Sequence, residues 1–492
     1  MVLAKAVKTN RKRKSKHAQI IGQGTYGCVF RPEINCRTQL PGSNEYLSKI
    51  SVEDHLSLTE IDIGKVIQTI PNYRFFFAPI LEKCDINIST IDQQQVEKCE
   101  VFEKSMKSAQ TPGKLPKFVS SKIHYVGNQN FGEYFSKLLI KSCGNQSPQK
   151  CFKSTSHREK HITQFLKKIV DAHLYLLHSI KLLGDNGIVH LDLKFNNFIY
   201  DKENDIFIII DFGLARLVKD MEAANYEQNI KNRFGVLIET YPPWAIDIVI
   251  LSFISKHVHK TVTKSGGVDP AKFNAKIDDS HITLLKRHCT LYATKNPVLQ
   301  LRLFTETDRK TVETQLHKWI DSFKGKTWKD AWTAIWNLHK SWDNYSLAVM
   351  YLHEFQDTGI MDIVLRPTPN MKQIDDEDTN PKQSNVWTTV SNAIVGATSE
   401  QRKDFHFLIE YVSILKNIIL AEPTARKTPD VTSNEIKAIF QKLDRAQFEE
   451  VVKQFNAKIL APKNIETIKA NKLRRNLEDL KTERDMYEMV DK

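Results

Sequence analysis

Apolar residues change their spacing several times along the chain, and each change marks an element. From Ala18 to Ser51, short apolar runs alternate with turn residues: Ile20-Ile21, a glycine-rich stretch from Gly22 to Gly27, then Cys28-Val29-Phe30 halted by Pro32. That pattern predicts strand, glycine turn, strand, a long hairpin loop over 31–45 and a third strand from Tyr46 to Ile50. Residues 52–70 switch to helical spacing, with Leu56, Ile63, Ile67 and Ile70 on one face, although Gly64 weakens a helix interior. The segment 75–88 reads as the next strand, interrupted by Pro79, and 88–131 reads as a polar, irregular insertion. Residues 134–140 read as a strand running into the turn Lys141-Ser-Cys-Gly144. A long amphipathic helix follows over 157–183, through Phe165, Ile169, Ala172, Leu176 and Ile180, and Asp185-Asn-Gly187 ends it.

Further along, 250–340 is basic and helical, with Trp319, Trp328, Trp332 and Trp336 spaced as core residues rather than as a stacking platform. Residues 366–386, rich in Pro, Asn, Asp and Gln, read as a disordered loop. Residues 464–490 read as a charged helix with little apolar face, a solvated or partner-binding tail.

A chain of 492 residues can hold two or three cores, and its 41% apolar and 26% charged content excludes wholesale disorder. Lys and Arg outnumber Asp and Glu by 71 to 58, a surplus that favours acidic partners such as nucleic acid, anionic lipid or acidic protein segments. The surplus is densest in the basic tail 1–17, which is either a solvated end or a nuclear-import or nucleic-acid contact. Seven scattered cysteines with no CxxC pair read as free thiols in a reducing compartment. No secretory signal follows the basic start, and the apolar stretch 244–254 is too short to span a bilayer and carries Asp247. The expectation is an intracellular protein without a transmembrane segment, cytoplasmic or nuclear.

The chemistry concentrates in 190–213: His190-Leu-Asp192-Leu-Lys194-Phe-Asn-Asn197, an apolar strand, then Asp211-Phe-Gly213. Asp192 can accept a proton from an attacking hydroxyl, and Lys194 can steady a phosphoryl group in flight. Asn197 and Asp211 can hold magnesium against a nucleotide. Upstream, Gly22-Gln-Gly24-Thr-Tyr-Gly27 fits either a dinucleotide turn or a phosphate lid. The β-branched and aromatic run after Gly27 favours a hairpin lid, since a dinucleotide turn opens a helix there.

Together these segments resemble the eukaryotic-type serine/threonine protein kinases over roughly residues 18–440, through H-x-D-L-x-x-x-N, Asp-Phe-Gly and G-x-G-x-x-G-x-V, with Val29 as the valine. The resemblance implies an α+β, two-lobed fold that uses ATP and Mg2+ and acts on protein substrates. It implies a small β-rich lobe with hinge at 18–144 and a mostly helical lobe at 145–445, with insertions at 250–340 and 366–386. The tails 1–17 and 446–492 flank them. It assigns catalysis to Asp192 and Lys194, and metal binding to Asn197 and Asp211. Nucleotide contacts fall to Ile21, Gly22, Gly24, Gly27, Val29 and Lys49, with Ile140 and Ser142 at the hinge. Glu60 is expected to pair with Lys49, with Glu53 as the alternative. Asp343 would brace the catalytic loop from a central helix, and Arg426 resembles the late arginine that ties to an Ala-Pro-Glu glutamate.

Three departures qualify the likeness. Leu191 replaces the arginine that reads a phosphate on the activation loop, which implies constitutive activity. No Ala-Pro-Glu exists; Thr240-Tyr-Pro-Pro-Trp244 stands in its neighbourhood, leaving Glu239 as a substitute partner for Arg426 and the peptide-docking surface in doubt. Roughly a hundred residues separate Pro243 from Asp343, an insertion that resembles kinases of large cytoplasmic DNA viruses of eukaryotes and would place the chain in host cytoplasm or virion. A pseudokinase scaffold and a small-molecule kinase of the choline or aminoglycoside type are the alternatives.

Overall fold

The computed structural model describes residues 18–24, 27–36, 38, 41–53, 55–107, 117–143, 158–228, 238–259, 268–365, 399–443, 449 and 451–453. The tail 1–17, the loop 366–386 and the helix expected at 464–490 lie outside them. The strands are β1 (Gln19–Gly24), β2 (Gly27–Arg31), β3 (Tyr46–Val52), β4 (Phe77–Ala78), β5 (Ile80–Ile86), β6 (Phe118–His124), β7 (Ile188–Val189), β8 (Phe198–Asp201), β9 (Ile206–Ile210) and β10 (Arg216–Leu217). The chain divides into two compact units, Met1–Gln68 with Ala78–Tyr125, and Thr69–Phe77 with Val126–Lys492. The first carries most of the strand content, and the second is mostly helical.

The first unit is built on a five-stranded antiparallel sheet in the order β1-β2-β3-β6-β5. Because side chains alternate along a strand, register sorts them by face. Cys28 lies opposite Ile50, and with Phe30 these bury in one core; Val29 lies opposite Lys49 on the other face. The helix His55–Gln68 buries Ile63 and Ile67. Gly64 belongs there for a steric reason: a Cβ on it would come within 2.4 Å of the Ile80 carbonyl oxygen of β5.

Three expectations change here. First, 88–131 is not simply irregular. It contains the helices Gln93–Glu97 and Glu100–Lys107 and the strand β6, which sits between β3 and β5. Ile91, Cys99, Phe102 and Phe118 join the buried core. Second, 134–140 is not a strand but part of the helix Phe131–Cys143. Phe131, Phe135 and Leu139 recur every four residues on its buried side, and Asn130 Oδ1 accepts from the Glu133 amide at its start. The boundary between units accordingly falls after Tyr125, not at 144. Third, cysteines expected as free thiols form disulfides, Cys28–Cys99 and Cys36–Cys84, and Cys143 is also disulfide-bonded. Packing of the insertion over the sheet brings Cys99 to Cys28 across 71 positions, which linear spacing does not reveal. Cys289 is free and buried.

In the second unit, the helix Arg158–Asp185 buries Phe165, Ile169, Leu176 and Ile180. The helix Ile246–Val258 is buried on nearly all sides, which explains its almost uninterrupted apolar sequence. Residues of the long insertion cover it. Trp328, Trp332 and Trp336 are buried as core, while Trp319 is half-buried against Phe323. Tyr226 stacks on Trp332 at 3.9 Å between centroids and hydrogen-bonds Ser255 Oγ at 2.6 Å. No described helix is long and apolar enough to cross a membrane.

Arg426 finds a partner that sequence reading missed. Its Nη1 lies 2.6 Å from Asp247 Oδ2, both side chains are buried, and Trp342 Nε1 donates to the same oxygen at 2.7 Å. Glu239, the expected substitute, pairs with His288 at 2.6 Å instead. The reason is depth: Asp247 is carried on the buried helix, where an unpaired guanidinium needs its counter-charge.

This packing has two measurable consequences. Asp247→Ala should cost about 3–5 kcal/mol in urea denaturation, because it leaves a buried guanidinium unpaired, whereas Asp247→Leu combined with Arg426→Met should recover most of that loss. Glu354, on the helix Trp342–Asp357, is held with its carboxyl pushed up to about 8, by burial first and the nearby Asp357 second. The folded chain thus binds this proton more tightly than the unfolded chain. Its contribution is complete below the ordinary carboxylate value and is lost as pH rises through the folded one. Thermal stability should therefore fall between about pH 5 and pH 9, and Glu354→Gln should flatten that slope.

Candidate active site

In the first unit, the glycine turn joins β1 to β2 as an antiparallel hairpin. A register shift between Ile20 and Gly22 leaves Ile21 as the irregular, exposed position. Gly27 is required by the sheet, since a Cβ there would lie 2.5 Å from the Ile50 carbonyl oxygen. Gly22 and Gly24 face open space, so the packing of the unit does not demand glycine at either. On β3, Lys49 Nζ sits 2.9 Å from both carboxylate oxygens of Glu60, and both side chains are largely buried. Glu53, the alternative, is taken by Lys83 at 2.6 Å and Lys117 at 2.9 Å, whose hydrogen bonds hold its carboxyl below the ordinary range. The structure therefore selects Glu60 as the partner of Lys49.

In the second unit, β7 delivers the chain into the loop His190–Asn197. Both oxygens of Asp343 receive backbone amides: His190 N–H at 2.9 Å and Leu191 N–H at 3.1 Å. Asp343 is buried, and burial raises its carboxyl above the ordinary value against the opposing pull of His190 and these two amides. Trp244 Nε1 donates to the Leu191 carbonyl oxygen at 2.7 Å. Leu191 has φ 64°, a left-handed conformation that costs an L side chain roughly 1–2 kcal/mol. Its amide and carbonyl are thus both pinned. The His190 ring links the two halves of the motif: Nδ1 accepts from the Asp192 amide at 3.3 Å, and Nε2 faces the Ile210 carbonyl oxygen at 3.2 Å. That pattern places the ring proton on Nε2.

The carboxylate of Asp192 lies at the centre. Lys194 Nζ contacts its two oxygens at 3.2 and 2.9 Å, and Asn197 Nδ2 donates to Oδ2 at 3.1 Å and to the Asp192 main-chain oxygen at 2.7 Å. Asn197 closes the 3-10 turn Phe195–Asn197. Its amide nitrogen is committed to Asp192, which leaves the amide oxygen as the donor for a cation. Asp211 follows β9, exposed and with φ 60°. An amide oxygen and a carboxylate are hard donors that suit magnesium, so the donor chemistry fits that ion. Phe212 is buried, with its ring 4.9 Å from His190.

Ile140 and Ser142, expected on a hinge, instead lie on the helix Phe131–Cys143 of the second unit, and Ile140 is exposed. The residues following β6 occupy the boundary between units, a placement the polar sequence Ser120-Ser121-Lys122 concealed. Sequence reasoning also missed Tyr241, whose hydroxyl donates to Asp192 Oδ1 and lies 3.4 Å from Lys194 Nζ. Its only linear signal was its place in the Thr-Tyr-Pro-Pro segment.

Protein comparisons agree with the sequence resemblance over a limited span. The protein 040L of Invertebrate iridescent virus 3, provisionally named a serine/threonine-protein kinase, is 46% identical over 56 residues, 11% of this chain and 16% of that protein. Two provisionally named cell division control protein 7 homologues of Encephalitozoon cuniculi (strain GB-M1) are each 43% identical over 56 residues, with the same coverage. The chain thus spans under one fifth of the length of these curated relatives. A solved Stt7 homolog from Micromonas algae, soaked with ATP, aligns over 88% of this chain and 95% of its own at 13% identity, with a TM-score of 0.36. No family model matches.

The pinned loop yields a direct test. Asp343→Ala orphans two buried amides, each costing about 1–3 kcal/mol, so urea denaturation should show a loss of several kcal/mol. Asp343→Asn, which keeps one acceptor oxygen, should lose less.

Proposed function

We propose that the chain is a serine/threonine protein kinase that transfers the γ-phosphate of ATP, with magnesium, to hydroxyls of protein substrates. The observation that carries this reading is the Asp192 carboxylate held between Lys194 and Asn197 on a buried, pinned loop. Phosphoryl transfer asks little covalent chemistry of a protein; position and charge neutralisation supply most of the rate. Asp192 orients the acceptor hydroxyl and takes its proton as that oxygen bonds the γ-phosphorus and the bond from this phosphorus to the bridging oxygen breaks, releasing ADP. Lys194 offsets charge on the moving phosphoryl group. Asn197 and Asp211 would hold magnesium, which supplies charge neutralisation on the phosphates. Lys49, fixed by Glu60, contacts the α- and β-phosphates, and the open faces of Gly22 and Gly24 leave room for a triphosphate beside the hairpin backbone. Leu191 carries no charge, so this loop has no guanidinium at that position to read an activating phosphate.

Radiolabelled transfer from ATP to casein (acidic) and histone (basic) tests the reading. The wild-type chain should label serine or threonine, and Asp192→Ala and Lys49→Met should each lose at least a hundredfold in rate. Nucleotide binding without any transfer would identify a scaffold instead, and undiminished transfer by Asp192→Ala would remove that carboxylate from the mechanism.

A further inference from the structure

In the proposed kinase reaction Asp192 accepts the proton, and the role inferred below for Tyr241 rests on that reading. The two oxygens of Asp192 take four contacts. Oδ1 receives the Tyr241 hydroxyl and Lys194 at 3.2 Å; Oδ2 receives Lys194 at 2.9 Å and Asn197 at 3.1 Å. An ionised carboxylate offers about four lone-pair positions, so these four fill it. An incoming serine or threonine hydroxyl must therefore replace one of them.

The four are not equally replaceable. Asn197 is buried and holds a second bond to the Asp192 main-chain oxygen at 2.7 Å. Lys194 carries the charge that balances the carboxylate, and it bridges both oxygens. Tyr241 is the neutral O–H donor of the set, half-buried, with the same functional group as the acceptor. We propose that Tyr241 occupies the acceptor's place on Asp192, and that protein substrate engages by displacing this phenol. The same cap keeps water off the base.

The surroundings define how the exchange happens. Main-chain movement at Tyr241 is restricted: its carbonyl oxygen accepts from the Trp244 amide at 3.1 Å, Pro242 and Pro243 follow, and Ser346 Oγ binds the Pro243 carbonyl oxygen at 2.6 Å. Displacement is then a rotation of the tyrosine side chain. Lys194, 3.4 Å from the phenol oxygen, remains on the carboxylate throughout. An acceptor that binds too weakly to turn the ring aside is excluded, so Tyr241 sets a threshold for substrate affinity.

The test uses the full chain. Tyr241→Phe keeps the ring and deletes the hydroxyl. Because a hydrogen bond to a charged group corresponds to about tenfold or more, the KM for casein or histone should fall about tenfold, and ATP hydrolysis without acceptor should rise. A lower kcat at unchanged KM, with no added hydrolysis, would overturn the inference and make Tyr241 a positioning residue for Asp192. A second arm does not depend on turnover. In the chain labelled with 3-fluorotyrosine, the Tyr241 resonance is identified by its loss in Tyr241→Phe, or in Tyr241→Leu if the first variant does not fold. Saturation with casein or histone should shift that resonance, and a resonance unmoved by both proteins overturns the inference. Absence of phosphate transfer by the wild type counts against the kinase reading alone; the fluorine shift then decides the role of Tyr241.

Discussion

Two amide protons on one buried carboxylate hold a stretch of backbone that passes through a left-handed residue, Leu191. Asp343 takes the N–H groups of His190 and Leu191, and without it both would be orphaned in the core. The cost is a charge kept out of water, visible in the raised carboxyl of Asp343. The gain is positional. Leu191 can stay left-handed, the chain turns sharply, and Asp192 emerges beside Lys194 and Asn197. His190 extends the restraint to the end of β9 through Ile210, immediately before Asp211. One carboxylate therefore sets the direction of the loop and, through the imidazole, braces the strand that carries the second acid.

Much of this was legible in the sequence because it depends on short-range spacing. The run from His190 to Asn197 encodes its chemistry within eight residues. Lys49, Glu60 and Asp343 followed from the family resemblance, helped at Lys49 by the absence of any other lysine between positions 17 and 64. What escaped depended on distance along the chain or on ambiguous periodicity. Tyr134–Ile140 contains enough aromatic and branched residues to imitate a strand, but its buried positions recur every four residues with Phe131 included. β6 hides behind two serines that are buried in the sheet, so its centre does not look apolar. The pairing of Cys28 with Cys99 depends on a helix folding back over the sheet, and the Asp247–Arg426 contact spans 179 positions.

Gly64 shows the same limit from the other side. Read alone, a glycine in a helix argues against the helix. Here the close approach of the β5 backbone requires it, and tertiary contact outweighs intrinsic propensity. Gly22 and Gly24 present the contrasting case: both pair with β2 along the hairpin, yet a Cβ on either would meet nothing within 4 Å. Packing therefore explains Gly64 and leaves glycine at those two positions without a packing reason.

The long insertion belongs to the core rather than decorating it. The helix Ile246–Val258 is apolar almost all round and cannot face water; Trp328 and Trp332 from the insertion cover it. That helix carries Asp247, which anchors Arg426 and Trp342. Trp342 and Asp343 are consecutive at the head of one helix, so their side chains diverge by about 100°. One reaches the buried ion pair and the other reaches the loop that presents Asp192. A single turn of helix thus carries both the side chain that meets the ion pair and the one that meets the loop. The tryptophans of the insertion, far away in sequence, are in this way packed into the same core as the residues that hold the Asp192 loop.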